Sequence, residues 1–295
     1  MALRQTARSE AGLLARAPSG ALVLSAIASV QLGSALAVHL FRWVGPGGAV
    51  FLRLLTAAVV LVAIWRPSLR RRTRGELLLA GVFGAVLAGM NLSFYAAIHR
   101  IPLGIAVALE FVGPLSVALL GSRRRVDLVW VALAAAGIVA LTRGGAHGLN
   151  LLGIGFALLA GGLWGAYILV SARVGRAFER GTGVAVAMCF GTLLALPAGV
   201  VSGGAHLLEV RSLALGAAIG MLSSAVPYSF ELEALRRIPA HVFGVLMSLE
   251  PAMAALAGWI VLGQQLSLRD VLGIVLVVAA SAGVSRRAQD APRDL

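Results

Sequence analysis

Residues 100–114 read RIPLGIAVALEFVGP, and residues 237–251 read RIPAHVFGVLMSLEP. Arg100-Ile101-Pro102 returns as Arg237-Ile238-Pro239, and Pro114 returns as Pro251, both at an offset of 137. Each copy lies inside a long apolar run. The two halves of the chain therefore repeat one design, and such a repeat predicts a pseudo-symmetric membrane core of the kind secondary transporters use.

Composition outside these stretches agrees. Of the 295 residues, 59% are hydrophobic and 13% charged, whereas soluble chains carry roughly 25% charged residues. Apolar runs repeatedly reach the roughly 20 residues a helix needs to cross a bilayer. No polar linker divides the chain, so one membrane body is expected, built from a five-helix repeat over residues 1–147 and a second over 148–295. Cys189 is the single cysteine. It lies in an apolar span, where a free thiol behaves as a small core residue.

A net charge of +13 invites a nucleic-acid reading, but all 25 basic residues are arginines, nearly all between apolar spans or near the termini, without interleaved aromatics. Topology accounts for them, which removes nucleic acid as a partner. Ten spans are expected: 18–40, 46–65, 76–98, 102–121, 127–142, 151–172, 183–202, 213–235, 239–262 and 270–285. Alternate connections then hold 19 arginines, against five on the other side (Arg42, Arg100, Arg143, Arg211 and Arg269), with Arg53 inside a span. Arginine-rich loops stay cytoplasmic, so both termini are expected in the cytoplasm. Ala35-Leu36-Ala37 imitates a signal-peptide cleavage site. The preceding apolar run is too long for a signal, and Gly33-Ser34-Ala35 matches Gly165-Ala166-Tyr167 of the sixth span, so that stretch is expected to be retained. Five spans per repeat is an odd number, which makes the second repeat inverted and provides a route to alternating access around a midplane site.

Ionisable groups in hydrocarbon cost about 2.5–3.5 kcal/mol on insertion scales and mark function by default. From the rise per residue, Arg53 lies about 10 Å, Glu110 about 12 Å and Glu250 about 16 Å from the nearer end of its span. Glu231 lies about 6 Å from the cytoplasmic end of the eighth, where function and snorkelling are equally open. Glu233, beside Arg236 and Arg237, is expected in an interfacial ion pair. Pro114 clashes with the carbonyl of Glu110, and Pro251 follows Glu250 directly, so helix kinks are expected at both acids. Hydrocarbon favours the protonated carboxyl and a nearby guanidinium the ionised one. Such a set can hold one carboxylate charged while another takes up a proton; a structural bridge from Arg53 to a glutamate is the competing account.

Asn91 and Tyr95 share a helix face, as do Ser224, Pro227, Tyr228 and Glu231. With Gln31 and Tyr167 they can hold a small polar solute, or equally serve interhelical hydrogen bonds. The five histidines lie near span ends or in loops without metal-ligand spacing. No HExxH, GxSxG or Walker-type loop occurs, so neither an enzyme nor a metal or cofactor is expected.

Gly89-Met90-Asn91 with Phe94-Tyr95, the block PLGIAVALEFVGPLSVAL at 102–119, and Ser122-Arg123-Arg124 resemble the threonine/homoserine exporters of the EamA-type drug/metabolite transporter superfamily. So do Pro227-Tyr228-Ser229 with Glu231, Phe243-Gly244, and Leu246-Met247-Ser248-Leu249-Glu250-Pro251. The resemblance implies an all-α integral membrane protein of ten helices in two inverted five-helix repeats. It also implies a multi-pass place in the bacterial inner membrane and proton-driven export of small neutral amino acids. Arg53, Asn91, Tyr95, Glu110, Glu231 and Glu250 match the family pattern. Glu233 has no expected counterpart there, and Gln264 stands where the family often has glutamate. An exporter of nucleosides, cysteine derivatives or toxic analogues is the alternative, and a non-transporting sensor or scaffold the reading from another class.

Overall fold

The computed structural model describes residues 18–68, 72–120, 127–143, 150–179, 181–235 and 237–287. Among these there are helices and no strand. They are α1 (Ser19–Trp65), α2 (Arg74–Ile98), α3 (Leu103–Glu110), α4 (Val112–Leu120), α5 (Asp127–Arg143), α6 (Leu151–Ala177) and α7 (Thr182–Gly203). After a 3-10 turn at Gly204–Leu208 come α8 (Val210–Gly220), a π turn (Met221–Ala225), α9 (Val226–Leu235), α10 (Ala240–Met247), α11 (Glu250–Leu262) and α12 (Leu268–Arg287). Among the described residues, five helical stretches are both long and apolar enough to cross a membrane. Large apolar side chains such as Val201, Trp259 and Ile260 stand exposed on the outside, the surface a bilayer covers. The terminal segments, on which the expected placement of the termini rests, lie outside the described residues.

At 1.5 Å per residue an unbroken α1 would run about 70 Å, more than twice the hydrocarbon core. It is broken at Gly45, whose φ of 65° and ψ of 174° are not helical. That conformation is essentially confined to glycine, and Pro46 after it offers no amide to carry the ladder on. Gln31 and Arg53 would stand about 33 Å apart on a straight helix, yet they line one cavity. The chain therefore folds back at Gly45, separating the expected first two spans. The expected spans 102–121 and 239–262 are each divided too, at Phe111 and at Ser248-Leu249, and the stretch 213–235 passes through the π turn.

Helix ends follow local chemistry. Thr73 and Glu76 form a reciprocal capping box at the start of α2, with Thr73 Oγ1 accepting from the Glu76 amide at 3.2 Å and Glu76 Oε2 accepting from the Thr73 amide at 2.8 Å. Asn150 caps α6 through the Gly153 amide at 3.1 Å, and Ser267 with Asp270 repeats the box at α12.

Small residues bring backbones together where the halves meet. α2 packs on α6 and α7, α1 on α7 and α8, α3 on α11, and α5 on α12. A Cβ added to Gly84 would stand 2.5 Å from the Ala187 carbonyl oxygen, and one on Gly104 2.7 Å from Ala255 Cα. One on Gly137 would meet the Gly273 carbonyl oxygen at 2.9 Å. Without a hydrophobic drive between helices in lipid, such close approach supplies the van der Waals contact that holds them.

Candidate functional site

These packings leave a cavity of about 310 Å³ between the helices. Gln31 and Arg53 reach it from the two arms of α1, Asn91 from α2, Glu110 from α3 and Tyr167 from α6. Pro227 and Glu231 come from α9 and Glu250 from α11. Residues spread over more than two hundred positions of sequence thus converge. Glu110 and Glu250 are both buried, although neither has an arginine within ion-pair distance among the described residues.

The two acids sit at helix breaks. Glu110 is the last residue of α3 and Glu250 the first of α11. Pro114 falls in the first turn of α4 and Pro251 in the first turn of α11, where a missing amide costs nothing. Both prolines therefore start new helical segments and lie outside the cavity lining. The carbonyl of Glu110, which Pro114 cannot bond, lies against α6, where a Cβ on Gly161 would stand 2.6 Å from it. The kink serves a backbone contact with α6 while the carboxyl serves the cavity.

Arg53 is held by Tyr95. Its Nη1 donates to the Tyr95 hydroxyl at 3.3 Å, with the guanidinium carbon 5.6 Å from the ring centroid. A bridge from Arg53 to a glutamate, the competing structural account, is not formed. Tyr95 is fully buried and does not line the cavity. It stands one helical turn beyond Asn91, tilted against Phe41 at 5.6 Å. The Asn91 amide nitrogen donates to the Leu87 carbonyl at 2.8 Å.

Gln31 Nε2 donates to Glu250 Oε1 at 3.3 Å, leaving Gln31 Oε1 and Glu250 Oε2 buried and unpartnered. Glu110 lies within electrostatic reach of Glu250 and Arg53, and Glu250 of Glu231. Charged and polar groups thus face a space whose remaining walls are apolar, among them Leu54, Leu87, Val107 and Trp164.

Other expected residues fall elsewhere. Glu233 pairs with Arg237 one turn on, the interfacial ion pair its position suggested. Gln264 Oε1 accepts from the Leu103 amide at 3.0 Å, so it caps α3, the helix that carries Glu110. The side chain of Tyr228 lies outside the described residues. Three participants were not singled out from sequence: Ser34, Trp164 and Ser223 all line the cavity. Ser223 sits in the π turn, a feature frequent at functional sites, held to α1 by Ser29 Oγ donating to the Leu222 carbonyl at 2.7 Å. The serine pair ahead of Pro227 is the only trace of that turn in the sequence. Among the described residues no group of three or more His, Cys, Asp or Glu could hold a metal.

Known proteins are similar to this chain. Residues 151–286 match the EamA-like transporter family. The threonine/homoserine exporter RhtA of Escherichia coli (strain K12) is 42% identical over 89% of this chain and 89% of its own length. RhtA of Salmonella typhimurium (strain LT2) shows the same identity and coverage. One protein of known crystal structure superimposes with a TM-score of 0.60 at 19% identity, over 91% of this chain and 99% of its own, a likeness of fold. With identity spread along the length of full exporters, and the family match falling on the half that carries Glu231 and Glu250, the chain belongs to the EamA-like transporter family.

Proposed function

We propose that this protein is a multi-pass transporter of the bacterial inner membrane that exports threonine- and homoserine-like amino acids in exchange for protons. The observation that carries this reading is the cavity itself. It places one fixed cation, Arg53, and three carboxyl groups, Glu110, Glu231 and Glu250, around about 310 Å³ of otherwise largely apolar space. A zwitterion is the solute whose charges match that layout. Its carboxylate faces Arg53, and its ammonium faces Glu110 or Glu250. A proton from the far side then takes the place of the ammonium on that carboxyl group, and Arg53 is left free for the carboxylate of the next solute. The identity to RhtA supplies the substrate class.

The architecture we propose is ten helices in two inverted repeats, residues 1–147 and 148–295, with both termini in the cytoplasm. The helix pairings support it. Exchanging the halves would turn the contact of α2 with α7 into that of α8 with α1, and α5 and α12 would exchange with each other. Such symmetry makes inward-open and outward-open forms close in energy, which alternating access needs. A sensor or scaffold has no use for three acids around a solute-sized space.

Counterflow tests the substrate class. Proteoliposomes loaded with unlabelled threonine should accumulate external labelled threonine, and homoserine should compete. Competition by nucleosides or cysteine derivatives in place of threonine and homoserine would move the assignment to another metabolite.

A further inference from the structure

Gln31 and Glu250 are joined by one hydrogen bond, and each keeps a second side-chain oxygen that is buried and without a partner. The Gln31 amide donates through Nε2 to Glu250 Oε1, and the atoms beside this bond, Gln31 Oε1 and Glu250 Oε2, are both buried and both without a partner. Both are acceptors when Glu250 is ionised, so they cannot bond to each other. One proton changes that. On Oε2 it supplies the donor that Gln31 Oε1 lacks, and a carboxylic acid and a primary amide can then close a ring of two hydrogen bonds. A buried acceptor left unpaired is costly, and this proton satisfies both at once.

We infer that Gln31 is the positioning residue for the transported proton: it receives the hydrogen of protonated Glu250 in a cyclic amide–acid pair and releases it when Glu250 ionises. This rests on the proton-exchange reading above and identifies which acid carries the proton and what holds it there. Gln31 and Glu250 come from α1 and α11, which pack directly on each other. Forming and breaking the second bond therefore ties proton occupancy to the contact between two helices from opposite halves.

The surrounding charges leave this pairing to Gln31. Of the helices packed on α11, α3 brings Glu110 and α1 brings Arg53, which is bonded to Tyr95. His39 of α1 faces the Ala35 carbonyl of its own helix at 3.3 Å. On α12, Asp270 is engaged with Ser267 at 2.7 Å. Glu231 approaches Glu250 from α9 without hydrogen-bonding to it, and like Glu110 it is acidic. Neither carboxylate could complete the pair without a second proton, whereas the Gln31 amide needs only one.

Infrared difference spectroscopy on the purified full-length protein tests this without any amino acid present. Acidification should produce a carboxylic-acid carbonyl band that Glu250→Gln removes, together with a shift of a side-chain amide carbonyl. That amide shift should vanish in Glu250→Gln and in Gln31→Leu alike, and in Gln31→Leu the Glu250 acid band should move to higher wavenumber. Gln31→Met, of similar length, serves if the leucine variant does not fold. A glutamine that merely fills space would leave the amide region indifferent to Glu250. An amide shift surviving in Glu250→Gln, or an acid band unmoved by loss of Gln31, overturns the inference. Because these spectra need no substrate, intact paired bands alongside absent threonine counterflow would sink the amino-acid assignment and leave the Gln31–Glu250 pair standing.

Discussion

The Tyr95 hydroxyl accepts a hydrogen bond from Arg53 at 3.3 Å, while no carboxylate lies within ion-pair distance of the guanidinium among the described residues. A cation at the cavity wall is thereby fixed in place without being neutralised. Its charge stays available to a solute, which a salt bridge to Glu110 or Glu250 would have consumed.

Tyr95→Phe should therefore weaken solute binding while sparing the fold. The ring packing against Phe41 persists and only the hydroxyl is lost. Hydrogen bonds to charged groups contribute about 1.5–3 kcal/mol, so KM for counterflow should rise roughly tenfold or more, with Tm nearly unchanged. Saturation curves on proteoliposomes of both proteins would measure this. An unchanged KM would remove Tyr95 from the site.

Gly113→Ala should be among the most damaging small changes in the protein. A Cβ there would run into the Gly161 carbonyl of α6, which is backbone and cannot swing aside. Overpacking costs about 1–3 kcal/mol or more, and the strain would fall next to Glu110. Gly162→Ala is the internal control, since nothing lies within 4 Å of its added Cβ. Thermal unfolding in detergent should show a clear loss for the first and none for the second.

Much of this site was legible in sequence, for a physical reason. Charged and amide groups in apolar runs stand out against hydrocarbon, so Arg53, Glu110, Glu231, Glu250, Gln31 and Asn91 could be picked out individually. The prolines marked the breaks beside Glu110 and Glu250 because a missing amide is a property of the residue itself. What sequence does not carry is which polar group meets which. The partner of Arg53 turned out to be Tyr95, 42 positions away, and that of Glu250 to be Gln31, 219 away. Ser223 and Trp164 escaped notice because a serine or tryptophan in an apolar helix is unremarkable until the π turn and the facing helices aim it at a cavity. The turn between the first two spans was legible as the gap from 41 to 45, but not that Gly45 would make it with a positive φ.

Gln264 offers a stability test. Its side chain caps α3 through the Leu103 amide, so Gln264→Ala should cost about 0.5–1.5 kcal/mol, the usual net worth of one hydrogen bond. Gln264→Glu keeps an acceptor at that place and should retain most of the stability. Equal Tm values for the alanine variant and the parent would contradict the capping role.

Glu233→Gln should matter little. Its pair with Arg237 is an i,i+4 bridge with both side chains about a quarter exposed, and such pairs contribute about 0–1 kcal/mol. Counterflow at the parental rate is expected, in contrast to the variants of Glu110 and Glu250.

The most direct test of the account is movement of labelled threonine and homoserine in proteoliposomes with and without an imposed pH gradient, for the parent, Glu110→Gln and Glu250→Gln. The account predicts transport against the amino-acid gradient in the parent only when protons flow the opposite way. Loss of at least one of the cavity acids should abolish that coupling. Amino-acid movement indifferent to the pH gradient, or coupling that survives in both variants, would contradict it.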